Sequence, residues 1–242
     1  MGEKLIKLIR ESSRVIAFTG AGISTFSGLK DFRGEDGLCK IMEPEKIFDI
    51  NIFHSDPAFF YKYARELVFD LDNIEPSMVH LELARLEQRG IIEAVITQNI
   101  DRLHQKAGSK KIIEVHGSAE TGHCCSCGKE FSYAQLVSFV KVGEIPHCAN
   151  CNGIIKPDIT FYGEQLAEKP FIRALEESSK ADLIISLGST LVVQPAASFI
   201  DNTLGHGGKL VIVNNQPTPY DHYADLIIRN LEEFCRLVGE LI

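Results

Sequence analysis

The sequence predicts an α/β fold in which helices cover both faces of a parallel sheet. Five short apolar segments are typical of buried strands, and helical patterns separate several of them along the chain. The 242 residues, 45% of them hydrophobic, are enough for one large domain with a sizeable core and a small insert. The five predicted strands are VIAFT (15–19), IIEAVIT (91–97), IIEV (112–115), DLIISL (182–187) and LVIV (210–213).

Helices and two irregular stretches fill the intervals between these strands. Apolar residues at helical spacing over 5–9 predict a helix ahead of the first strand, and a second helix over 79–86 ends at Gly90. Residues 35–76 are rich in Phe and Tyr and show no strand pattern, which predicts a helical insert. Residues 121–152 contain two pairs of cysteines.

The charge and the apolar segments disfavour several classes of protein. A formal net charge of -8 gives no electrostatic footprint for a nucleic-acid backbone or an anionic membrane. The first residues show neither the apolar centre nor the cleavage site of a signal peptide. Residues 183–200 are uncharged and long, but Gly188, Gln194 and Pro195 interrupt them, which predicts a buried strand with its loop. We therefore expect a cytoplasmic protein without membrane or direct nucleic-acid partners.

Chemically capable residues follow each predicted strand directly. In open α/β sheets, ligands bind outside the carboxyl ends of the strands, so these segments are expected to converge on one crevice. The segments are GAGIS, QNID, His116-Gly117, GST and Asn214-Asn215, in chain order.

The glycine-rich turn after the first strand is compatible with nucleotide binding. Gly20 and Gly22 let the backbone approach a ligand closely, and N–H groups at a helix start can bind a pyrophosphate. Many such turns bind nothing, so a purely structural turn stays open on this motif alone. Thr25 occupies the place of the third glycine of the dinucleotide fingerprint, and no strand ending in an acidic residue follows about 20 residues on. Ordinary dehydrogenase chemistry is therefore disfavoured.

Seven cysteines without a secretory signal favour metal binding over disulfides. Two Cys-x-x-Cys pairs predict a structural zinc ion held by four thiolates, with no position left for water, and buried free thiols are the alternative. Cys125 is too close to its neighbour to form such a pair, while Cys39 and Cys235 are expected to be core thiols. The four predicted zinc ligands are Cys124, Cys127, Cys148 and Cys151.

His116 follows a predicted buried strand, where a histidine is by default more often a core residue than a base. The convergence of the strand ends favours a base. Asn99 and Asp101 are by composition only part of a strand-to-helix turn.

Several motifs occur in a fixed order along most of the chain, from about Val15 to Asn215. They are GAGIST…GLKDFRG, TQNIDRLH, VHG, the paired cysteines, PDITFYGE, GSTLVVQPAA and VNN. In order and spacing they resemble the sirtuins, which are NAD-dependent protein lysine deacylases. The resemblance implies a Rossmann-like parallel-sheet domain with a smaller inserted domain, made of a helical module and a zinc module. The implied division gives 1–34, 77–120 and 157–242 to the Rossmann-like domain, 35–76 to the helical module and 121–156 to the zinc module.

The resemblance implies a deacetylase that consumes NAD and acts on acetylated-lysine proteins. The acyl-lysine carbonyl oxygen would attack the ribose carbon as nicotinamide leaves, and His116 would take a proton so that the ribose 2′-hydroxyl attacks the resulting alkylimidate. The products would be nicotinamide, deacetylated lysine and O-acetyl-ADP-ribose. Nicotinamide leaves as a neutral group, so the reaction needs positioning, exclusion of water and one base, but no general acid. The implied catalytic residues are His116, Asn99 and Asp101.

The resemblance also implies residues for the cofactor and the substrate. Phe32 would shield the reactive carbon, on a mobile loop that Asp31 and Arg33 order. The implied lining of the substrate-lysine channel is Ile159, Phe161, Val192 and Val193, for which ordinary core packing is the alternative. The implied cofactor-binding residues are Gly20, Ala21, Gly22, Thr25, Asp31, Phe32, Arg33, Gln98, Asn99, Ile100, Asp101, His116, Gly188, Ser189, Thr190, Asn214 and Asn215.

The chain departs from the family pattern at a few positions. Lys30 stands where the family usually has Pro, and Tyr162 replaces the second Phe of the PDITFYGE motif. Family members that remove acidic acyl groups have a Tyr-x-x-Arg pair. Here Tyr61 is followed at that spacing by Ala64, with Arg65 one position late. The resemblance therefore implies a preference for acetyl or other neutral acyl groups.

Two other functions stay open on the sequence. The same cofactor chemistry could transfer ADP-ribose onto protein. A non-catalytic NAD sensor or zinc-based binding module belongs to a different class, but it would have no need of a base at His116.

Overall fold

The structure is a computed structural model that describes residues 1–32, 34, 37–40 and 43–239. Its helices are α1 (Gly2–Glu11), α2 (Pro44–Ile47), α3 (Ile50–Ser55), α4 (Pro57–Ala64), α5 (Met78–Gln88), α6 (Leu103–Ala107), α7 (Tyr133–Lys141), α8 (Glu168–Lys180), α9 (Ser198–Gly205) and α10 (Leu231–Gly239). Its strands are β1 (Val15–Thr19), β2 (Ala94–Thr97), β3 (Ile112–Glu114), β4 (Gly117–Cys124), β5 (Glu130–Ser132), β6 (Ile155–Ile159), β7 (Leu183–Leu187), β8 (Lys209–Val213) and β9 (Leu226–Ile228). Short 3-10 helices cover Ala21–Ser27, Leu38–Lys40 and Asp221–Tyr223, and a π-helix covers Arg65–Phe69.

The main sheet is parallel and has the strand order β3-β2-β1-β7-β8-β9. All five predicted strands belong to it, which confirms the predicted fold class. The second strand starts at Ala94 rather than Ile91, because the N–H of Ile91 still bonds to Leu86 O, at 2.9 Å, in the turn that closes α5. The short β9 was not predicted. Strand order reverses between β1 and β7, which is where such sheets bind ligands.

Both faces of this sheet are covered by helices. Side chains alternate along each strand, so that Ala17 and Ile185 belong to one core and Ile16 and Ile184 to the other. Residues of α1, α5 and α10 complete the first core, and residues of α8 and α9 complete the second. Continuous burial on two faces explains why the strands are uninterrupted apolar runs.

A second unit combines the two irregular stretches of the sequence. Its antiparallel sheet has the order β5-β4-β6 and was not predicted, because its strands mix apolar residues with glycine, charged residues and cysteine. Phe48, Phe53 and Phe60 from the helical stretch share one core with Phe161, and Phe53 and Phe161 pack edge to face with ring centroids 5.4 Å apart. The predicted helical character of 35–76 is borne out by α2, α3 and α4 within its described part.

Residues 183–200 form β7, a loop and the start of α9. Within the described ranges, none of the helices has the length and apolar character needed to cross a membrane.

Candidate active site and metal centre

The turns that follow β1 and β7 pack backbone against backbone. The N–H of Gly22 donates to Gly188 O at 2.9 Å. A Cβ atom on Gly22 would lie 2.8 Å from Gly188 Cα, and one on Gly188, whose φ is +62°, would lie 2.5 Å from Ile23 N. Contacts this short do not occur for real Cβ atoms, so both positions require glycine. The glycines of the first turn therefore have a structural reason, and their contact with a pyrophosphate stays a prediction.

A buried set of polar groups joins the turn after β2 to the turn after β1. The side-chain amide of Asn99 donates to Gly20 O at 3.3 Å and to Ser24 Oγ at 3.2 Å. Ser24 Oγ donates in turn to Asp101 Oδ2 at 2.6 Å, while Asp101 Oδ1 accepts from Leu103 N at 3.0 Å. Both oxygens of the buried Asp101 carboxylate thus have donors, as a buried charge requires.

Ser24 is a site residue that was not among those predicted. The available signal was its place in the glycine-rich turn, since a hydroxyl there can reach the neighbouring strand end. The hydroxyl of Ser24 is the direct link between the two residues that the family resemblance singles out, Asn99 and Asp101.

His116 lies at the end of β3 with one ring nitrogen fixed and the other open. Its Nδ1 is 2.9 Å from Gln98 O, and because a carbonyl only accepts, Nδ1 carries the proton. Burial lowers the pKa of His116, and the bond to the Gln98 carbonyl opposes this effect. The neutral ring therefore keeps the lone pair of Nε2 available. Gln98 also donates from Nε2 to Ser189 Oγ at 2.9 Å, which ties the ends of β2 and β7 together.

A chain of buried side chains, Thr97, Thr19 and His104, supports the turn at Asn99 from inside the sheet. Thr97 Oγ1 accepts from the backbone N–H of Asn99 at 3.0 Å and lies 2.8 Å from Thr19 Oγ1. Thr19 Oγ1 is 2.9 Å from His104 Nε2, and the His104 ring packs edge to face on His80. Burial lowers the pKa of both histidines, so both rings are neutral. Thr19, His80 and His104 were not predicted as site residues, although His104 closes the TQNIDRLH motif.

The other predicted cofactor residues differ in how exposed they are. Thr25 is exposed, and its hydroxyl donates to Gly22 O at 2.9 Å. Asn214 is buried and donates to Gln216 O at 2.9 Å, whereas Asn215 is exposed. Ala21, Ile100 and Thr190 are half-buried.

The loop that carries the Asp-Phe-Arg triplet is described in part. Asp31 Oδ1 accepts from Gly34 N at 2.8 Å, and the Phe32 ring lies 6.4 Å from that of Phe48. Arg33, a predicted cofactor residue, lies outside the described residues.

The four predicted channel residues fall into two pairs. Ile159 and Phe161 are buried in the core of the second unit, as the core-packing alternative expects. Val192 is 47% exposed and Val193 is half-buried, on the loop after β7. Only the second pair therefore presents apolar surface outward.

Four cysteine sulfurs form a cluster in the antiparallel unit. Their Sγ atoms all lie within 4.8 Å of one another, with Cys124 and Cys151 at 3.4 Å and Cys127 and Cys148 at 3.7 Å. Thiolates at about 2.3 Å from a tetrahedral zinc ion are about 3.8 Å apart, so these side chains fit zinc with no fifth position. The ligand set is Cys124, Cys127, Cys148 and Cys151, as predicted.

Each Cys-x-x-Cys pair sits in the same kind of turn. Gly128 N donates to Cys124 O at 2.9 Å, and Asn152 N donates to Cys148 O at 2.8 Å. Gly128 and Asn152 have φ of +71° and +60°, which lets the chain turn back and present two sulfurs on one side. The two pairs meet because β4 pairs with β6, with Cys124 opposite Ile155, which places the second turn beside the first.

The other three cysteines lie outside this cluster. Cys125 is exposed, and Cys235 is partly buried against the core of the main sheet, where burial raises its pKa to about 12. The expectation of a core thiol is wrong for Cys39, which is exposed on a 3-10 helix near the surface.

The strand order and the joined turns place the chain among Rossmann-like α/β proteins that bind a ligand at the switch point of the sheet. Comparison with known proteins identifies the family: the Sir2 family matches residues 20–195, and the chain belongs to it. The resemblance to sirtuins is thereby confirmed.

Similar proteins cover nearly the whole chain. An NAD-dependent protein deacetylase of Thermotoga maritima is 45% identical, over 98% of this chain and 97% of that protein. The NAD-dependent protein deacetylase of Saccharolobus solfataricus is 42% identical, over 94% of this chain and 91% of that protein. A solved structure of Sir2 with p53 peptide and NAD+ has a TM-score of 0.92 and 44% identity, over 100% of this chain and 98% of that chain. Another solved structure of Sir2, with deacetylated p53 peptide and 3′-O-acetyl ADP ribose, has a TM-score of 0.94 and 44% identity. The match covers 99% of this chain and 97% of that chain.

The cysteine cluster predicts a defined response to substitution and metal removal. Cys148→Ser removes one of four thiolates, and we expect about one zinc per chain in the wild-type protein and a large loss of zinc and thermal stability in the variant. Cys125→Ser is the matched control, since Cys125 is adjacent in sequence but outside the cluster. Metal analysis and thermal unfolding, with and without a chelator, provide the measurement. A wild-type melting temperature that does not change on metal removal would contradict a structural zinc.

Proposed function

We propose that this chain is an NAD-dependent protein lysine deacetylase, which releases nicotinamide, deacetylated lysine and O-acetyl-ADP-ribose. The observation that carries the proposal is His116, a neutral base with Nε2 open, at the same sheet edge as the buried Asn99 and Asp101. The near full-length similarity to deacetylases of the Sir2 family supports it.

In this proposal His116 is the base and its neighbours are positioning groups. The Gln98 carbonyl holds the Nδ1 proton, so Nε2 is the atom that takes the proton of a ribose hydroxyl. Asp101 binds the nicotinamide carboxamide together with the Ile100 backbone, and Asn99 orients a ribose hydroxyl or a water. Asp101 already accepts from Ser24 and Leu103, which suits a fixed acceptor rather than a general acid.

The cofactor site in this proposal follows the joined turns of the main sheet. Residues 20–22 receive the pyrophosphate, Gln98 contacts the ribose, and Phe32 shields the reactive carbon from water. NAD supplies the glycosidic bond whose cleavage releases nicotinamide. The groups that complete the dinucleotide site are Thr25, Asp31, Arg33, Gly188, Ser189, Thr190, Asn214 and Asn215.

The inserted unit has a supporting role. The four clustered cysteines hold a structural zinc ion, which keeps the antiparallel sheet folded without taking part in the reaction. We divide the chain at 1–34, 77–120 and 157–242 for the Rossmann-like domain, 35–76 for the helical module and 121–156 for the zinc module. The aromatic core that the helices share with the antiparallel sheet supports joining the two modules in one small domain, although Ile159 and Phe161 of that core lie beyond the boundary at 156.

We further propose a cytoplasmic protein that acts on acetyl groups rather than acidic acyl groups. Seven free cysteines suit a reducing compartment. The Tyr61 hydroxyl is buried and donates to Ile155 O, so it is not available to a substrate carboxylate. Ala64 is fully buried at the position where an arginine would be needed.

Mass spectrometry of an acetyl-lysine peptide, incubated with the protein with and without NAD, tests the proposed activity. We expect deacetylation only with NAD, with nicotinamide and O-acetyl-ADP-ribose in equal amounts. His116→Ala should lower the rate at least about 100-fold, since it removes the base. Protein that carries ADP-ribose, in place of free O-acetyl-ADP-ribose, would favour ADP-ribosyl transfer instead. NAD binding without any turnover would favour a sensor.

A succinyl-lysine peptide in the same assay tests the acyl preference. We expect hydrolysis much slower than that of the acetyl peptide, because Tyr61 and Ala64 offer the carboxylate no partner. Equal rates would refute the preference without touching the deacetylase activity.

The pH dependence of the reaction reports the ionisation of His116. The base is active when deprotonated, and burial lowers its pKa, so activity is retained as the pH falls below the usual histidine value of about 6.5. We expect the acid limb of kcat/KM to have its midpoint below that value. A midpoint clearly above it would contradict the buried, neutral base.

A further inference from the structure

Arg102 follows Asp101 directly and has an unusual backbone conformation. Its φ of +65° lies in the left-handed region, which glycine adopts freely and other residues adopt at a cost. It precedes α6, and its side chain makes no capping bond to that helix. The side chain is therefore free to make contacts away from α6.

The side chain of Arg102 reaches the unit that carries the cysteines. Its guanidinium lies 4.8 Å from the ring centroid of Tyr133, at the start of α7, and its Nε donates to Glu120 Oε1 on β4 at 3.2 Å. The Tyr133 hydroxyl donates to Phe69 O at 3.1 Å. One side chain next to Asp101 is thus joined to β4, to α7 and, through Tyr133, to the helical stretch.

Lys106 makes a second connection from the same short segment. Its Nζ donates to the carbonyl oxygens of Leu71, Asp72 and Ile74, at 3.0, 2.7 and 2.9 Å. Three neutral acceptors around one ammonium fix the chain that leaves the π-helix. The connection places α6 against the same end of the inserted unit that Arg102 contacts through Tyr133.

We propose that Arg102 is a positioning residue for the cofactor site. Through Tyr133 and Glu120 it ties the Asn99–Asp101 turn to the inserted unit, so the placement of that unit sets the affinity of the turn for the nicotinamide end of NAD. The identity of the ligand rests on the proposed function, and the connection itself rests on the contacts above.

The test compares NAD affinity in variants of both partners. Glycine adopts the left-handed backbone conformation of residue 102 freely, so we expect an unchanged or higher melting temperature for Arg102→Gly. We also expect its Kd for NAD to be two- to fivefold higher, about the factor that one such cation–π contact supplies. Tyr133→Leu should weaken NAD binding by a similar factor, and the double variant should bind no more weakly than either single variant. Tyr133→Phe keeps the ring against Arg102 and removes only the bond from the hydroxyl to Phe69 O, so we expect a smaller loss of NAD affinity than in Tyr133→Leu.

Calorimetry with NAD alone gives Kd, and steady-state kinetics gives KM for NAD and the inhibition constant of nicotinamide. Lys62→Ala is the matched control, because it also removes a cation from a tyrosine ring, that of Tyr63 at 5.2 Å, but this contact joins neighbouring residues of α4. Unchanged NAD affinity in Arg102→Gly, or effects of Arg102→Gly and Tyr133→Leu that multiply in the double variant, would overturn the proposal. Since NAD binding is measured without peptide, a wild-type protein that binds NAD but does not deacetylate would refute only the proposed function.

Discussion

The structure depends on one close contact between two chain turns. Gly22 and Gly188 touch backbone to backbone, at a separation that leaves no room for a Cβ atom on either residue. The contact draws the ends of β1 and β7 together at the point where strand order reverses. A crevice at such a point is where open parallel sheets bind ligands.

The polar groups of the site follow from that contact. Once the turn after β1 is fixed, Ser24 faces Asn99 and Asp101, and the three side chains satisfy one another in a place that excludes water. A buried carboxylate without donors would be costly, so this network also keeps the turn in a single conformation. His116 is fixed separately, by a carbonyl of the same turn, and this leaves its second nitrogen free for chemistry.

Sequence patterns predicted the features that depend on local chemistry. The strands of the main sheet are apolar runs because both of their faces are buried, and the zinc ligands are visible because each pair is only three residues apart. The role of Ser24 was missed although its place in the glycine-rich turn was a signal, because its partners Asn99 and Asp101 lie far away in the chain. The contact between Arg102 and Tyr133 carries no signal in the sequence, because it also joins distant residues. Strands β4 and β5 lack the apolar run by which strands are recognised, whereas β9 is apolar but only three residues long. Cys39 shows that an apolar neighbourhood in sequence does not ensure burial.

The most direct measurement is the affinity of Gly22→Ala for ADP-ribose by calorimetry, with Gly205→Ala as the control, since a Cβ at Gly205 meets no atom within 4 Å. The added methyl group must push apart the turns after β1 and β7. We predict that Gly22→Ala loses at least about tenfold in affinity, a change of about 1.4 kcal/mol, while Gly205→Ala binds as the wild type does. Wild-type affinity in a folded Gly22→Ala protein would contradict the claim that this contact builds the site.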